Sequence, residues 1–292
     1  MKKTAELLIN SRSRAGSPLV LKQIVHEFSK HNVKITVVHR VSKKQPLALV
    51  IDGIMKNKPG LLVVASGDGT VSSIIDRLVG TDIELGIVPL GTTNNLARSL
   101  NIPLNVPEAV GFVISEKARA IDLGSINGEY FTNVAGIGLS ARIASGVTHT
   151  QKQRWGRLAY GITAVKSLWS QKPFRITIED PDRELSITLE TRQFIVANGR
   201  FHAGKEIAQD NSIANGKLVL FALGGASRMS LIWHTLDFYF GSREKIAHAS
   251  YFVGRDVRLR TSSPQSIELD GEVRMLTPVK VRVETAAVKV RY

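Results

Sequence analysis

The chain has 292 residues, 43% of them apolar, and its 39 Lys and Arg residues against 25 Asp and Glu residues give a formal net charge of +14. It contains no cysteine, which excludes disulfides and thiolate metal sites, and no stretch approaches the ~20 apolar residues of a membrane-spanning helix. The length favours two domains, and the charge favours an anionic partner: a nucleic acid, a membrane surface or a phosphorylated ligand.

Predicted strands and helices alternate in the first hundred residues. Apolar runs predict strands at residues 7–10, 33–39, 61–65 and 84–91, and helical periodicity predicts helices at residues 19–30, 46–57, 71–78 and 93–100. This alternation is typical of βαβ units with a parallel sheet, in which ligands bind at the carboxyl ends of the strands.

The pattern changes after about residue 122. Short strands separated by Gly, Asn and Asp turns are predicted at residues 174–179, 185–189, 193–198, 217–223, 256–261, 266–269 and 279–284. Asn127-Gly128 is typical of a hairpin turn, and helices are predicted near 152–169 and 227–240. We therefore expect an α/β domain at residues 1–124 and an antiparallel β domain at 125–292, whose C-terminal end packs back on the first.

A glycine-flanked aspartate follows the third predicted strand. Gly67 and Gly69 allow the backbone to approach a ligand closely, and Thr70 is expected to cap the next helix, whose free N–H groups favour anions. Asp68 supplies a hard oxygen of the kind that suits Mg²⁺. Taken alone, the segment fits a simple Asp-Gly turn at least as well.

A second polar loop, from Gly91 to Asn95, follows the next predicted strand. Because consecutive βα units place such loops at one sheet edge, the two loops are expected to be neighbours and to share a phosphate site. The loop after the first strand adds further donors and positive charge between Asn10 and Gly16. It matches neither a Walker loop nor the G-x-G-x-x-G fingerprint.

Two carboxylates, Asp270 and Glu272, flank Gly271 near the C-terminus. If they alternate along a strand, both point into one cleft, where one binds metal and the other accepts a proton. The alternative interpretation is an exposed Asp-Gly hairpin turn.

Four segments, SGDGT, VPLGTTNNLARSLNIP, VANGRFHAGKEIA and IELDGE, occur in the order and spacing of the diacylglycerol kinase catalytic-domain family. From Asn10 to about Glu284, the chain resembles the bacterial lipid kinases of that family, relatives of the sphingosine and ceramide kinases. The resemblance implies an N-terminal α/β domain like that of phosphofructokinase and NAD kinase, followed by an antiparallel β-sandwich, with ATP and substrate between them.

The resemblance also implies roles for individual residues. Its catalytic acids are Asp68, Asp270 and Glu272, with Asp68 holding the catalytic Mg²⁺, and Asn95 and Asp122 support the hydrogen-bonded network around the metal. Which of Asp270 and Glu272 accepts the hydroxyl proton stays open. The implied nucleotide contacts are Asn10, Ser11, Arg12, Gly16, Ser66, Gly67, Gly69, Thr70, Gly91, Thr92 and Asn94.

The sequence departs from the family pattern at several places, among them the end of the second strand, where Val41-Ser42 stands in place of the family's nucleotide-contacting threonine. Ser66 replaces a glycine, and Asn95 replaces an aspartate that often follows Asn94. The segment from Ala214 to Lys217 lacks the carboxylates with which some relatives bind a structural Mg²⁺, and Gln209 replaces a proline. We therefore expect that structural metal site to be absent or altered.

Basic and aromatic side chains are interleaved in a predicted helical segment at residues 148–174, and a second predicted helical segment, residues 227–245, is apolar with four aromatic residues. Such segments suit an anionic bilayer surface, although aromatic residues at helical spacing also suit packing on the sandwich. Zinc spacing, a helix-turn-helix signal and an RNA-recognition motif are all missing, which argues against nucleic acid as the partner.

The sequence therefore predicts a cytoplasmic, peripherally membrane-associated enzyme that transfers the γ-phosphate of ATP to a hydroxyl of diacylglycerol or a related lipid, with Mg²⁺. One alternative is an NAD-kinase-like phosphotransferase, although its Asn-Glu pair and Gly-Ser-Thr-Ala-Tyr loop are missing. The other is a non-catalytic lipid-binding relative of the fold. The lipid and the oligomeric state are not readable from the sequence.

Overall fold

The computed structural model describes residues 3–10, 17–42, 45–146, 170–199, 201–202, 205–206, 213–223 and 251–292. The two segments expected to contact a bilayer lie largely outside these residues. They contain the helices predicted near 152–169 and 227–240. None of the helices in the described ranges combines the length and the apolar character needed to cross a membrane.

The N-terminal half alternates strands with helices, as expected. Its elements are β1 (Lys3–Asn10), α1 (Pro18–Lys30), β2 (Val33–Val41), α2 (Leu47–Asn57), β3 (Leu61–Ser66), α3 (Asp68–Leu78), β4 (Glu84–Pro89), α4 (Asn95–Ser99) and α5 (Val106–Ser115). The strands pair in parallel in the order β2-β1-β3-β4. Every residue of β3 is buried, as expected for a central strand with both faces covered.

Helix α5 was missed by the sequence analysis, although its signals are present. The Asn105 side chain accepts a hydrogen bond from the Glu108 N–H, and Pro107 lies in the first turn. The helix packs closely on β4, because a Cβ added at Gly86 would lie 2.5 Å from the Val113 side chain.

The C-terminal half forms two antiparallel layers, which confirms the predicted sandwich. Its elements are β5 (Ala118–Ile126), β6 (Glu129–Phe131), β7 (Val134–Gly138), α6 (Leu139–Gly146), β8 (Phe174–Asp180), a 3-10 turn (Pro181–Arg183), β9 (Leu185–Thr191), β10 (Gln193–Ala197), β11 (Phe201–His202), β12 (Lys205–Glu206), β13 (Leu218–Leu223), β14 (Tyr251–Gly254), β15 (Asp256–Thr261), β16 (Ser266–Leu269), β17 (Glu272–Leu276) and β18 (Val279–Arg291). One layer has the order β14-β13-β10-β7-β16-β17, and the other contains β18-β15-β8-β9. Apolar side chains such as Ile176, Phe194 and Ile267 fill the core between the layers. The Asn127-Gly128 turn joins β5 to β6 with positive φ at both residues, as predicted.

The last strand, β18, links the two halves into one sheet. It pairs antiparallel with β15 and β5, and its residue Val290 pairs in parallel with Leu85 of β4. Val288 and Val290 thereby join the hydrophobic core of the N-terminal half. Residue 124 lies inside β5, and the domain limits of 1–124 and 125–292 stay a prediction.

Candidate active site

The loops that follow β3 and β4 touch each other at the carboxyl edge of the parallel sheet. The Leu90 N–H donates to the Ser66 carbonyl at 2.9 Å. A Cβ added at Gly67 would lie 3.0 Å from the Gly91 Cα, and one added at Gly91 would lie 2.7 Å from the Gly67 Cα. The two backbones can approach this closely because both positions are glycine.

Asn94 fixes the shape of the second loop. Its backbone is left-handed, with φ 48°, a conformation that asparagine adopts more readily than most residues. Its side chain accepts from the Gly91 N–H at 2.8 Å and donates to the Gly91 carbonyl at 3.1 Å. Asn94 is therefore engaged with its own loop, whereas Thr92 is exposed at the surface. Their contacts with a nucleotide stay a prediction.

Asp68 begins α3 and points toward the second loop. Its carboxylate accepts hydrogen bonds from the Thr93 hydroxyl at 2.7 Å and from the Leu96 N–H at 3.4 Å. Burial raises the pKa of Asp68 above its ordinary value, and the nearby charge of Asp270 adds to this; hydrogen bonds from Thr93, Leu96 and the Asn95 backbone oppose it. A cation close to Asp68 would offset the penalty of burying this negative charge.

The expectation that Thr70 caps the following helix is wrong. Helix α3 begins at Asp68, three residues before the predicted start, with Gly67 as its N-cap, and Thr70 is the third helical residue, 7% exposed. Its hydroxyl accepts a hydrogen bond from the Asn10 side chain at 3.0 Å, which ties the end of β1 to α3. Ser66 is buried at the end of β3 and Gly69 is exposed, while Ser11, Arg12 and Gly16 lie outside the described residues.

Asp270 and Glu272 do not point into one cleft from a single strand, which corrects the sequence expectation. Asp270 and Gly271 form the two-residue turn between β16 and β17, with φ 47° and 94°. Glu272 starts β17, where its side chain is 63% exposed and pairs with Arg274 at 2.7 Å. The turn places Asp270 toward the protein and Glu272 toward solvent.

The Asp270 carboxylate holds three parts of the chain together. It accepts from the Thr132 N–H at 2.7 Å, the Thr132 hydroxyl at 2.8 Å, the Asn133 N–H at 3.0 Å and the Val134 N–H at 3.1 Å. A fifth bond, at 2.9 Å, comes from the hydroxyl of Ser72 on α3, one helical turn beyond Asp68. Since a carboxylate has about four acceptor positions, these donors fill it.

Two further acidic residues beside Asp270 were missed by the sequence analysis. Glu268 is 3% exposed, and burial raises its pKa to about 7. Asp76 lies two turns after Asp68 on α3; burial raises its pKa to about 6, and the charge of Arg274 opposes this rise. The spacing of Asp68, Ser72 and Asp76 at intervals of four residues is a sequence signal for one helix face.

Asp122 is connected to a different part of the structure from Asp68. Its carboxylate accepts from the Gly216 N–H at 2.7 Å and from the Ala286 N–H at 2.9 Å, and its side chain is buried. The Asn198 side chain donates to the Asp122 carbonyl at 2.9 Å and to the Thr132 carbonyl at 3.0 Å. The Asn198 side chain therefore connects the Asp122 backbone to Thr132, which in turn donates to Asp270. The expected role of Asp122 near a metal stays a prediction.

Asp68 fits a Mg²⁺ ion bound together with a nucleotide, whereas the segment from Ala214 to Gly216 does not fit a structural metal. Within the described ranges, no three His, Asp or Glu side chains gather into a group that could hold a metal by themselves. Mg²⁺ does not require such a group, since one or two carboxylates with nucleotide phosphates and water suffice, and Asp68 fits that role. Ala214, Asn215 and Gly216 offer no carboxylate, and the Gly216 N–H is bonded to Asp122, so the structural metal does not fit these residues.

Comparison with known proteins agrees with this architecture. Residues 4–126 match the family model described as diacylglycerol kinase catalytic domain, and residues 133–292 match the model described as YegS C-terminal NAD kinase beta sandwich-like domain. A diacylglycerol kinase of Bacillus subtilis (strain 168) is 32% identical over 222 residues, covering 75% of this chain and 73% of the relative.

Solved structures share the fold over the whole chain. Two structures from Bacillus anthracis str. Sterne, described as a putative diacylglycerol kinase and as a diacylglycerol kinase, superimpose with TM-scores of 0.81 and 0.74 at 19% and 17% sequence identity. They cover 100% of this chain, which covers 95% and 97% of theirs. At this identity the structures support the fold, whereas the sequence matches carry the family assignment. The chain belongs to the diacylglycerol kinase family of lipid kinases.

Proposed function

We propose that this protein transfers the γ-phosphate of ATP to a hydroxyl group of a membrane lipid, with Mg²⁺ as the metal ion. Its place in a family of lipid kinases supports the reaction class. The observation that carries the proposal is the contact between the Gly67 and Gly91 loops, with Asp68 directly beside them. Phosphoryl transfer depends mainly on positioning and charge neutralisation, and this sheet edge offers both.

The start of α3 suits the ATP phosphates. This helix has 11 residues, and its N-cap Gly67 provides no side-chain hydrogen bond to the first turn. Amide groups at such a helix start, together with the positive end of the helix dipole, favour a phosphate group. The exposed residues Gly69 and Thr92 border the same edge and would contact the nucleotide.

Asp68 would hold the Mg²⁺ ion, directly or through water. When bound, Mg²⁺ supplies positive charge that neutralises the phosphates. The fit rests on the hard carboxylate oxygens that Asp68 holds beside the Gly67 and Gly91 loops. Burial, which raises the pKa of Asp68, makes a neighbouring cation more favourable still. Thr93 and Leu96 would keep the carboxylate oriented through their hydrogen bonds.

Asp270 is the better candidate for accepting the substrate proton. It lies close enough to Asp68 for the two charges to interact, whereas Glu272 is exposed and paired with Arg274. Because the acceptor positions of Asp270 are full, a lipid hydroxyl would take the place of one present hydroxyl donor, that of Ser72 or Thr132. Asp68→Ala is expected to abolish turnover while the fold survives. Asp270→Ala is expected to abolish turnover and also to lower the free energy of unfolding, because it removes the acceptor of five hydrogen bonds.

Diacylglycerol is the first lipid to test, because it is the substrate in the name of the Bacillus subtilis relative. The net charge of +14 supports work at an anionic membrane surface on the cytoplasmic side. Phosphatidylglycerol, a sphingoid base and a polyprenol are the other candidates.

The test is a radiolabel transfer assay with Mg²⁺ and γ-labelled ATP. Each lipid is presented in anionic vesicles, with NAD as a soluble acceptor, and heat-denatured protein serves as the control. Label in a lipid extract supports the proposal and identifies the lipid. Label on NAD alone would replace the proposal with an NAD-kinase-like activity, and vesicle binding without product would favour a non-catalytic lipid-binding protein.

A further inference from the structure

The turn that carries Asp270 is hydrogen-bonded to a buried carboxyl group. Glu268, two residues earlier on β16, accepts a hydrogen bond from the Gly271 N–H at 2.6 Å. The pairing of β16 with β17 shifts register between Ile267 and Glu268. Because of this irregularity, the strand ladder alone does not fix the turn, and the Glu268 side chain adds a restraint.

The other side of Glu268 contacts a second group of buried polar residues. Ser140, at the start of α6, hydrogen-bonds the Glu268 carboxyl. Ser140 is itself held by Gln193, whose side-chain amide donates to its hydroxyl at 2.9 Å and accepts from its N–H at 2.7 Å. Gly136 of β7 makes room for this arrangement, since a Cβ there would overlap both Ser140 and Glu268. Glu268 is thus fixed by α6, β7 and β10.

A carboxyl group is an unfavourable choice for filling this space. Its burial raises its pKa to about 7, so near neutral pH the folded protein either binds a proton there or pays for a buried charge. An apolar side chain of similar size would avoid that penalty. A group that lowers stability beside a predicted catalytic residue points to a role in the site.

We propose that Glu268 is a positioning residue for Asp270, an inference that rests on the proposed kinase function. Its hydrogen bond to the Gly271 N–H fixes the turn, and the turn fixes Asp270. Both turn residues have positive φ, the conformation of a tight two-residue hairpin turn. Without the acceptor at Glu268, the turn relaxes and Asp270 loses its alignment with Ser72 and Thr132.

Two variants separate positioning from simple packing. Glu268→Gln keeps an acceptor for the Gly271 N–H and a polar group for Ser140, whereas Glu268→Met fills a similar volume with no strong acceptor. With the lipid that the wild-type protein phosphorylates, Glu268→Gln should retain kcat within about threefold. Glu268→Met should lower kcat about 10²-fold, because small displacements of a reacting group are that costly. The KM for ATP should stay within about threefold in both, since the nucleotide edge is untouched.

Hydrogen exchange provides a readout that does not require activity. In Glu268→Met, the peptide that contains the β16–β17 turn should exchange its amide hydrogens faster than in wild type, and in Glu268→Gln it should not. Equal kcat in all three proteins would show that Glu268 only fills space and would overturn the proposal. Equal loss in both variants would assign the effect to the negative charge and would overturn it as well.

The two proposals fail in different ways. If wild-type protein phosphorylates none of the acceptors, the proposed function fails, while the exchange experiment still decides whether Glu268 holds the turn. If the wild type is active and the turn exchanges at the same rate in both variants, the inference about Glu268 fails alone.

Discussion

Replacing Glu268 by glutamine should change how stability depends on pH. Burial raises the pKa of Glu268 from 4.5 to about 7 in the folded protein. A carboxyl group whose pKa is raised by folding binds its proton more tightly in the folded state, so its contribution to stability is present below pH 4.5 and is lost as the pH rises to 7. Above pH 7 both states are ionised and the loss is complete.

The size of the effect follows from the two pKa values. At about 1.4 kcal/mol per pH unit, the whole loss is roughly 3 kcal/mol, and about 2.5 kcal/mol of it falls between pH 5 and pH 8. Glutamine has no proton to lose in this range. The free energy of unfolding of Glu268→Gln minus that of wild type should therefore rise by about 2.5 kcal/mol from pH 5 to pH 8.

Urea denaturation of both proteins at the two pH values measures this difference, and other titrating groups cancel because both proteins contain them. Glu272→Gln is the matched control, since this exposed carboxylate on the same hairpin loses little water on folding. The same pH dependence in Glu268→Gln and wild type would contradict this prediction, because Glu268 would then ionise in the folded protein without penalty.

Three further predictions concern contacts between elements. Ser72→Ala removes a hydrogen-bond donor to Asp270 that connects the two halves. The free energy of unfolding in urea should therefore fall by about 1.5–3 kcal/mol. A fall no larger than that of the exposed control Ser263→Ala would show that the Ser72 hydrogen bond does not stabilise the contact between the halves. Gly91→Ala places a Cβ 2.6 Å from the Asn94 side chain and 2.7 Å from the Gly67 Cα. The affinity for ATP, measured by calorimetry, should therefore drop at least about tenfold. Gly53→Ala is the control, since there is open space around Gly53, and it should bind ATP normally. Arg291→Ala removes contacts with Glu84 and the Val113 carbonyl and should lower the free energy of unfolding by about 1 kcal/mol. Lys289→Ala breaks only an exposed pair with Asp82 and should leave the free energy of unfolding unchanged. Equal effects of the two variants would show that the Arg291 contacts stabilise the protein no more than the exposed pair does.

The sequence predicts the parallel sheet and the meeting of its two polar loops because both follow from local patterns. Apolar runs such as the one before Ser66 identify central strands, and the βα order places the Gly67 and Gly91 loops at one edge. The Asn127-Gly128 hairpin is predictable for the same reason, since its turn chemistry is local.

The arrangement around Asp270 was not predictable in the same way. Alternation along a strand suggested that Asp270 and Glu272 share a direction, but the positive φ of Asp270 places it in the turn itself. Its partner Ser72 is 198 residues away in the chain, and no local pattern indicates such a contact. Glu268 was missed because one carboxylate within a four-residue strand resembles a solvent-facing position until the packing of Ser140 and Gly136 is known.

In the proposed reaction, Asp68 serves phosphate transfer from ATP to a lipid hydroxyl. The most direct measurement compares label transfer from γ-labelled ATP into extracted lipid by wild type and Asp68→Asn, with Asp182→Asn, an exposed site on the 3-10 turn, as control. Asparagine is nearly isosteric, so unchanged melting temperatures should accompany a rate that falls at least about 10²-fold for Asp68→Asn only. A folded Asp68→Asn protein that labels lipid at the wild-type rate would contradict this role of Asp68.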